Sequence, residues 1–232
     1  MRPKRFLLTN DDGIDAPGLA ALEAALSSDC ERSIVAPAEA QSGSGHAVTT
    51  NGPLRLEQRG EYRWAAHGTP ADCVRAALHC FPGQFDFVLA GVNSGGNLGV
   101  DVYHSGTVAA VREAAVHGLP GAAFSHYRNR SLDEADWSRA AEWVRRLLDD
   151  GISEPAPGSF WNVNFPCLDS GAVMPERVDC PLDPSPLPLS YRSEGELLHY
   201  DGVYRDRARR VAHDVDICFG GRIAVTKLRV GQ

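Results

Sequence analysis

Hydrophobic and polar residues alternate in blocks along the first two thirds of the chain, and these blocks predict strands and helices in turn. An apolar run at residues 5–9 is followed by Leu19, Leu22 and Leu26, whose spacing places them on one face of a helix over residues 18–27. Residues 33–36 form the next apolar run. A strand, a helix and a strand in this order indicate a βαβ unit with parallel strands and a right-handed crossover.

The pattern repeats after residue 68. A helix is predicted over residues 72–79, with Thr69 as its N-cap, Pro70 in its first turn and Asp72 at position N3. Strands are predicted at residues 85–90, 121–125 and 160–164. Together these elements predict an α/β fold, a Rossmann-like and mostly parallel sheet flanked by helices.

Two more helices complete this part of the chain. One starts after Ser105 and ends near Gly118, which suits a helix C-terminus. The other is predicted from a capping box of Ser131 and Glu134, with an apolar stripe along its length, to Gly151. Its stripe consists of Trp137, Ala141, Val144 and Leu148.

The character of the sequence changes near residue 168. Eight of the fifteen prolines lie between residues 155 and 188, a density that predicts the end of the parallel sheet. Beyond it, a β-hairpin with Asp201 and Gly202 as its turn and a last strand at residues 220–230 are predicted. We therefore expect an α/β core over residues 1–168 and, over residues 169–232, a proline-rich linker, a β-hairpin extension and a tail that pack on the core or on a neighbouring subunit.

Charge and composition exclude several classes of protein. The net charge is -7 and the only lysines are Lys4 and Lys227, so a surface for nucleic acid is not expected. The N-terminal residues lack the apolar stretch of a signal peptide, and no run approaches the ~20 apolar residues of a membrane span. These observations predict a cytoplasmic protein. The six cysteines show no metal-site spacing and are expected to be reduced thiols packed as small hydrophobic groups.

Polar, glycine-rich segments follow three of the predicted strands. In parallel sheets, ligands bind beyond the carboxyl ends of the strands, so these segments are expected to meet. Their candidate residues are, after the first strand, Asn10, Asp11 and Asp12; after the second, Ser42, Ser44 and His46; and after the strand that ends at Ala90, Asn93, Ser94 and Asn97.

The donor groups in these segments suit a hard divalent cation. Carboxylate, hydroxyl and amide oxygens are ligands for Mg²⁺, Mn²⁺ or Ca²⁺, whereas zinc prefers histidine and cysteine. A cation would also neutralise the repulsion between Asp11 and Asp12, which can share one ion because Gly13 can turn the chain after the strand. The alternative is that the two aspartates only start a turn and cap the next helix.

The start of the helix after residue 105 is a candidate anion site. Ser105 as N-cap and the free amides of Gly106 and Thr107 would bind a phosphate, with the two hydroxyls as further donors. The loop contains no Walker lysine, so it is not a P-loop, and a metal together with amides would hold the phosphate charge. A glycine-rich connection with an ordinary helix cap is the alternative.

Histidines and a second helix start offer accessory groups. His46 and His104 adjoin the site loops and could protonate a leaving group or orient water, although lone histidines are more often structural or solvated. Thr69 and Asp72 are best explained as a helix entry, and they could also support the site from behind.

Five ordered motifs resemble those of the SurE family of survival-protein nucleotidases. They are TNDDGIDAPG, APAEAQSGSGHAVT, GTPADCV, GVNSGGNLGVD and YHSGTVAAVREA. The resemblance is close over residues 5–168 and continues loosely to Val230. It implies a Rossmann-like core whose C-terminal hairpin and tail reach a partner subunit, giving homodimers or homotetramers.

The resemblance also implies an activity and a ligand set. The family's members are metal-dependent phosphatases, 5'-nucleotidases that hydrolyse nucleoside 5'- and 3'-monophosphates and, in some members, short polyphosphate. Carried over to this sequence, one divalent cation per subunit, Mg²⁺ or Mn²⁺, would be bound by Asp11, Asp12, Ser42 and Asn93. Phosphate would contact Asn97, Ser105, Gly106 and Thr107.

Two positions and the length of one segment depart from the family pattern. His104 stands where tyrosine is common, the C-terminal extension is shorter than in many members, and Lys227 replaces a common proline. These differences concern the oligomer and the substrate-side wall more than the metal site.

The sequence therefore predicts a metal-dependent phosphomonoesterase for nucleoside monophosphates. The cation would polarise the phosphoryl group, and one aspartate, with Asp11 favoured, would act as a base or orient the attack. A haloacid-dehalogenase-like phosphatase would need a DxD order that NDDG lacks. A nucleotide-binding regulator without turnover is the rival from a different class.

Overall fold

The computed structural model describes residues 4–150, 152, 155–169 and 172–231. Its strands, in chain order, are β1 (Arg5–Thr9), β2 (Glu31–Pro37), β3 (Leu56–Gly60), β4 (Arg63–Ala66), β5 (Phe87–Ser94), β6 (Gly121–His126), β7 (Ser159–Phe165), β8 (Arg177–Asp179), β9 (Tyr191–Glu194), β10 (Leu197–Tyr200) and β11 (Ile223–Arg229). Nine of them form one sheet in the order β3-β4-β2-β1-β5-β6-β7-β11-β8, and β9 with β10 forms a separate hairpin.

The central strands are parallel, as predicted. β4, β2, β1, β5, β6 and β7 all run in the same direction, while β3 and β11 are antiparallel to β4 and β7. Every residue of β6 is buried, which is expected for a strand with helices on both faces of the sheet. The mostly parallel α/β fold is therefore confirmed.

Five α-helices accompany the sheet in the described part of the chain. They are α1 (Pro17–Ala24), α2 (Pro70–Cys80), α3 (Gly106–Val116), α4 (Glu134–Asp150) and α5 (Asp214–Phe219). Helices α1 and α4 pack with one face of the sheet, and α2 and α3 pack with the other. Among the described residues, no helix has both the length and the hydrophobicity to cross a membrane.

Helix α2 begins as its sequence predicts. Thr69 Oγ1 accepts a hydrogen bond from Asp72 N at 3.1 Å, and Asp72 Oδ2 accepts one from Thr69 N at 3.0 Å. This reciprocal capping box satisfies two amides that a helix start leaves without partners.

The start of α4 differs from the prediction by two residues. Asp133 and Asp136 form the capping box, since Asp133 Oδ1 accepts from Asp136 N and Asp136 Oδ2 accepts from Asp133 N, both at 2.9 Å. The predicted pair Ser131 and Glu134 is wrong because two carboxylates at the same spacing cap the helix later. The predicted end at Gly151 lies outside the described residues.

The C-terminal part contains two corrections. The hairpin turn is formed by Gly195 and Glu196 instead of Asp201 and Gly202, because Gly195 adopts φ +59, which a tight two-residue turn requires. The proline-rich stretch does not end the sheet, since β8 lies between Pro175 and Pro181 and pairs parallel to β11. The short strands β3 and β4 and helix α5 were not predicted.

Candidate active site

Three loops meet where the parallel strands β2, β1 and β5 end at their carboxyl termini. Two backbone hydrogen bonds join them: Gln41 N donates to Asp11 O at 2.7 Å, and Gly45 N donates to His104 O at 3.1 Å. The structure therefore brings together the three polar segments in which the site residues were predicted.

The chain turns sharply after β1. Asn10 Nδ2 donates to Gly13 O at 2.7 Å, and Gly13 adopts φ +103, a conformation that residues with side chains rarely adopt. Because β1 ends at Thr9, Asp11 and Asp12 lie in this turn. They are thereby freed from the alternation of a strand, which would point neighbouring side chains to opposite faces.

Asp11 is buried, and its carboxylate lies against the first turn of α3. Its side chain is held by Thr107, whose hydroxyl Oγ1 donates to Asp11 Oδ1. Burial raises the pKa of Asp11 to about 6, the hydrogen bond from Thr107 opposes this rise, and the nearby charge of Asp12 adds to it. The Thr107 hydrogen bond therefore offsets only part of the free-energy cost of burying the Asp11 charge.

Asp12 is half-buried and is fixed by β5. Its Oδ2 accepts a hydrogen bond from Ser94 N at 3.0 Å. Within the described part of the chain, the ion pairs lie elsewhere and none involves Asp11 or Asp12. Two neighbouring carboxylates without a protein cation are a fitting site for a metal ion.

Asn93 lies at the end of β5 and not in a loop beyond it. Gly91, with φ +129, accompanies a shift in the pairing of β5 with β6 between Ala90 and Asn93, after which the strand resumes. Asn93 Nδ2 donates to Gly95 O at 2.9 Å, so the amide nitrogen has a partner and the side-chain oxygen is the atom that could face a cation.

Gly106 allows the loops to approach closely. A Cβ atom added there would lie 2.9 Å from Asp11 Cβ and 3.0 Å from Ser44 Oγ, closer than side chains normally pack. Ser44 Oγ is buried and has no hydrogen-bond partner among the described residues. The predicted ligand Ser42 is exposed and follows Gln41, whose amide contacts Asp11.

The N-terminus of α3 is built as predicted. Ser105 is its N-cap, and Ser105 Oγ accepts from Val108 N at 3.1 Å. Ser105, Gly106 and Thr107 are all buried next to Asp11. Their first amides have no acceptor within the helix, and the positive end of the helix dipole points toward the carboxylate.

Asn97 is buried and tied to the sheet. Its Nδ2 donates to Ser125 Oγ at 2.8 Å, and its backbone O accepts from Asn162 Nδ2 and Asn164 Nδ2 at 2.8 and 3.1 Å. Asn164 Oδ1 also accepts from Asn97 N at 2.8 Å. Three polar side chains from β6 and β7 thus fix the glycine-rich loop at Asn97, and its role as a phosphate ligand stays a prediction.

The two candidate histidines have different surroundings. His46 Nε2 lies 2.8 Å from Glu113 Oε2 on α3, whereas His104 is exposed and its Nδ1 lies 3.2 Å from Asp101 O. Glu113 also accepts from Arg75 at 2.8 Å and lies 3.0 Å from His117 Nε2. The hydrogen bond with His46 is the largest cause that lowers the pKa of Glu113 to about 2.

This Glu113 cluster changes the interpretation of His46. The histidine attaches the loop after β2 to α3, and its ring nitrogen Nε2 is used in that contact. Sequence reasoning missed Glu113 and Arg75 because their contacts join segments 67 and 38 residues apart. Asp72 strengthens the same loop, since Thr49 N and Thr49 Oγ1 donate to its carboxylate at 2.7 and 2.8 Å.

A second missed cluster holds the glycine-rich loop from the C-terminal side. Asp101 Oδ2 accepts from Tyr204 Oη at 2.5 Å and from the buried Arg207 Nη1 at 2.8 Å. Asp214 Oδ2 accepts from Gly99 N at 2.7 Å. No signal in the sequence identifies these pairs, which are separated by more than a hundred residues.

Comparisons with known proteins show which family the chain resembles. Residues 6–179 match the family model described as survival protein SurE. The protein alr3139 of Nostoc sp. is 50% identical over 97% of this chain and 99% of its own length. The 5'-nucleotidase SurE of Rhizorhabdus wittichii is 44% identical over 75% of this chain and 71% of its own length.

A solved structure extends the likeness to three dimensions. The SurE protein from Aquifex aeolicus superposes with a TM-score of 0.78 at 29% identity, covering 97% of this chain and 93% of the other. A family model that matches most of the chain and a relative of 50% identity along nearly all of it lead to one conclusion. The chain belongs to the survival protein SurE family.

Proposed function

We propose that the protein is a metal-dependent phosphomonoesterase that hydrolyses nucleoside 5'-monophosphates, and also 3'-monophosphates. The observation that carries the proposal is the pair Asp11 and Asp12, which has no protein cation among the described residues and of which Asp11 lies against the first turn of α3. The relatives named 5'-nucleotidase SurE support the choice of substrate.

The residues of the site fit one divalent cation, Mg²⁺ or Mn²⁺, per subunit. Asp11, Asp12, Asn93 and Ser42 would hold it, all through oxygen atoms, as these ions prefer. The raised pKa of Asp11, caused first by burial, also fits, because a cation would replace the missing positive charge. When bound, the ion supplies Lewis-acid polarisation of the phosphoryl group.

The chain itself would bind the phosphate and manage the proton. The amides and hydroxyls of Ser105, Gly106 and Thr107 are placed to stabilise negative charge on the phosphoryl oxygens, with Asn97 nearby on the glycine-rich loop. Asp11 is the favoured base or orienting group for the attacking water. Thr107 would reorient or share its hydroxyl, since it donates to Asp11 in the structure.

Because these residues act on the phosphoryl group alone, we include short polyphosphate among the substrates. Its terminal group presents the same oxygens to α3 as a nucleoside monophosphate does.

Phosphate release tests the proposed function. Metal-free protein would be assayed with AMP, with and without Mn²⁺ or Mg²⁺, alongside Asn93→Ala and the control Asp29→Asn at an exposed aspartate far from the site. We expect metal-dependent release that Asn93→Ala reduces about a hundredfold or more and the control leaves intact. AMP binding without release would favour a nucleotide sensor, and full activity of Asn93→Ala would remove the ligand assignment.

We also propose that the C-terminal extension joins subunits into a homodimer or homotetramer. The hairpin β9–β10 exposes Tyr191, Leu197, Leu198 and Tyr200, and a two-stranded hairpin outside a larger sheet is only marginally stable by itself. Light scattering after size exclusion should give at least twice the 25.0 kDa chain mass. Leu197→Lys with Leu198→Lys should shift it toward the monomer, and a monomeric unmodified protein would contradict the proposal.

The six cysteines are free in the structure, as expected for a reducing compartment. This supports a cytoplasmic location, which cell fractionation with a periplasmic marker would test.

A further inference from the structure

Two clefts open near Ser94 at the carboxyl edge of the sheet. The first, here called the α1 cleft, has a volume of about 500 Å³ and is lined by Asp12, Ile14, Pro17, Ser94, Leu132 and Trp137. The second, the β6 cleft, measures about 540 Å³ and is lined by Ser94, Gly95, Tyr127, Asn129 and Tyr204. Ser94 and the exposed Arg128 line both clefts, so the two clefts meet there.

We propose that the α1 cleft binds the nucleoside of the substrate, an inference that rests on the proposed function and adds the site of its leaving group. The cleft is continuous with the candidate active site, because its wall includes Asp12 and Ser94, which are joined by a 3.0 Å hydrogen bond. A phosphate at the N-terminus of α3 would lie on one side of the sheet. The ester oxygen of that phosphate would extend past Asp12 toward the other side of the sheet, where α1 and α4 pack.

The walls of the α1 cleft have the chemistry of a base-binding site. Ile14, Pro17, Leu132 and the half-buried Trp137 offer apolar and aromatic surface, on which a base can stack. Ser94, Ser131 and Arg128 supply polar groups at its edges for the sugar and the base. Within the part of the chain that the structure describes, Arg128 forms no ion pair that would occupy its guanidinium.

The side chains of the β6 cleft are more fully used by the protein. Tyr204 Oη donates to Asp101 at 2.5 Å, and Arg130 pairs with Asp136 at 2.5 Å. Tyr127 is buried and stacks on Phe219, with 4.6 Å between ring centroids. The side chains of the α1 cleft are therefore more available to a ligand than those of the β6 cleft.

Filling each cleft in turn tests the inference. Ala16 is half-buried in the α1 cleft, has an extended backbone and makes no side-chain cap, so Ala16→Phe adds a ring there. Asn129→Phe adds the same ring at an exposed position of the β6 cleft and is the matched control. Each variant would be assayed with AMP and with glycerol 2-phosphate, an ester without a base.

For Ala16→Phe, we expect the ratio of kcat/KM for AMP to that for glycerol 2-phosphate to fall about tenfold. Asn129→Phe should leave the ratio within about twofold of the original. Equal loss on both esters, no change in the ratio, or a selective loss in Asn129→Phe instead would each overturn the inference. If Ala16→Phe does not fold, Ser131→Trp at an exposed position of the same cleft replaces it.

A binding measurement separates this inference from the proposed function. Equilibrium dialysis with adenosine needs neither turnover nor a metal. We expect Ala16→Phe to weaken adenosine binding about tenfold and Asn129→Phe to preserve it. If no ester released phosphate under any condition, the proposed function would fail, but adenosine binding would still test whether the α1 cleft binds a nucleoside. If adenosine did not bind, or if Ala16→Phe left its binding unchanged, the inference about the α1 cleft would be overturned.

Discussion

Asp11 and Glu113 are both buried carboxylates attached to α3, yet their surroundings are opposite. Asp11 contacts the first turn of the helix through Thr107, and its neighbouring charge is another carboxylate, Asp12. Glu113 lies further along the helix and is bonded to His46, Arg75 and His117. The pKa of Asp11 is raised to about 6, chiefly by burial, and that of Glu113 is lowered to about 2, chiefly by the His46 hydrogen bond.

We interpret this difference as the one between a proposed ligand of a metal ion and a structural contact. Glu113 is neutralised by the protein's own side chains, so it has nothing left to offer a ligand. Asp11 lacks such a partner, and the free-energy cost of burying its charge is offset only when a cation or a proton binds to it. Burial of a carboxylate does not identify a site by itself, since Asp72 and Asp214 are also buried and accept hydrogen bonds from N–H or O–H donors of the protein.

The largest expected effect comes from removing the charge of Asp11. Asp11→Asn should reduce phosphate release at least about a thousandfold, because both cation binding and proton handling would depend on the carboxylate in the proposed mechanism. Its thermal stability without metal should stay the same or rise, because a repulsive buried charge is removed. Kinetics and a melting curve of the metal-free protein test both expectations, and a destabilised, active variant would reverse the comparison.

Glu113→Gln should do the opposite and mainly affect stability. Arg75, His46 and His117 lose their charged acceptor, and two of these three side chains are nearly half-exposed, so we expect a loss of about 1–3 kcal/mol in the free energy of unfolding. Activity per folded molecule should fall by less than about tenfold, which is a smaller loss than the removal of a proton-transferring group usually causes. Urea unfolding with Glu196→Gln, on the exposed hairpin turn, as control measures this effect.

The pH dependence of stability should separate the two carboxylates. The lowered pKa of Glu113 contributes stability above about pH 4.5 that is lost as the pH falls through about 2. The raised pKa of Asp11 contributes stability at low pH that is lost as the pH rises from 3.8 through about 6. In EDTA, the difference in the free energy of unfolding between unmodified protein and Glu113→Gln should therefore shrink on acidification. The difference in the free energy of unfolding between unmodified protein and Asp11→Asn should grow as the pH rises. If the curves of unfolding free energy against pH ran parallel, both expectations would be contradicted.

Arg75→Gln should have the smallest effect. The Arg75 side chain is 48% exposed, so its pair with Glu113 is screened by water and should contribute less than about 1 kcal/mol. Because the two histidines remain, the pKa of Glu113 should stay below its ordinary value. Urea unfolding would show this, and a loss as large as that of Glu113→Gln would mean that Arg75 alone balances the charge.

The parts of the molecule predicted from sequence are those that depend on local spacing. The α2 cap needs Thr69 and Asp72 only three residues apart, and the aspartate pair follows directly on β1. Parallel topology then brought the Asp11, Gln41 and Asn93 segments to one edge of the sheet. The likeness to a known family supplied the individual ligand roles.

What sequence could not supply depends on distant contacts or on short, polar elements. The pair of Asp101 and Arg207 spans 106 residues, and nothing in either segment indicates its partner. Strand β3 reads LEQRG, without a clear apolar alternation, and forms because it pairs with β4. The continuation of β5 past Gly91 was missed because a glycine normally marks the end of a strand.

The contacts of Asp101 and Gly99 with Arg207, Tyr204 and Asp214 have a consequence for synthesis in the cell. A ribosome releases the chain from its N-terminus, so every proposed ligand of the metal and phosphate is outside long before Arg207 and Asp214 appear. Until then the glycine-rich loop lacks its anchors. We therefore expect the glycine-rich loop of the nascent chain to become fixed only after the segment with Tyr204, Arg207 and Asp214 has left the ribosome.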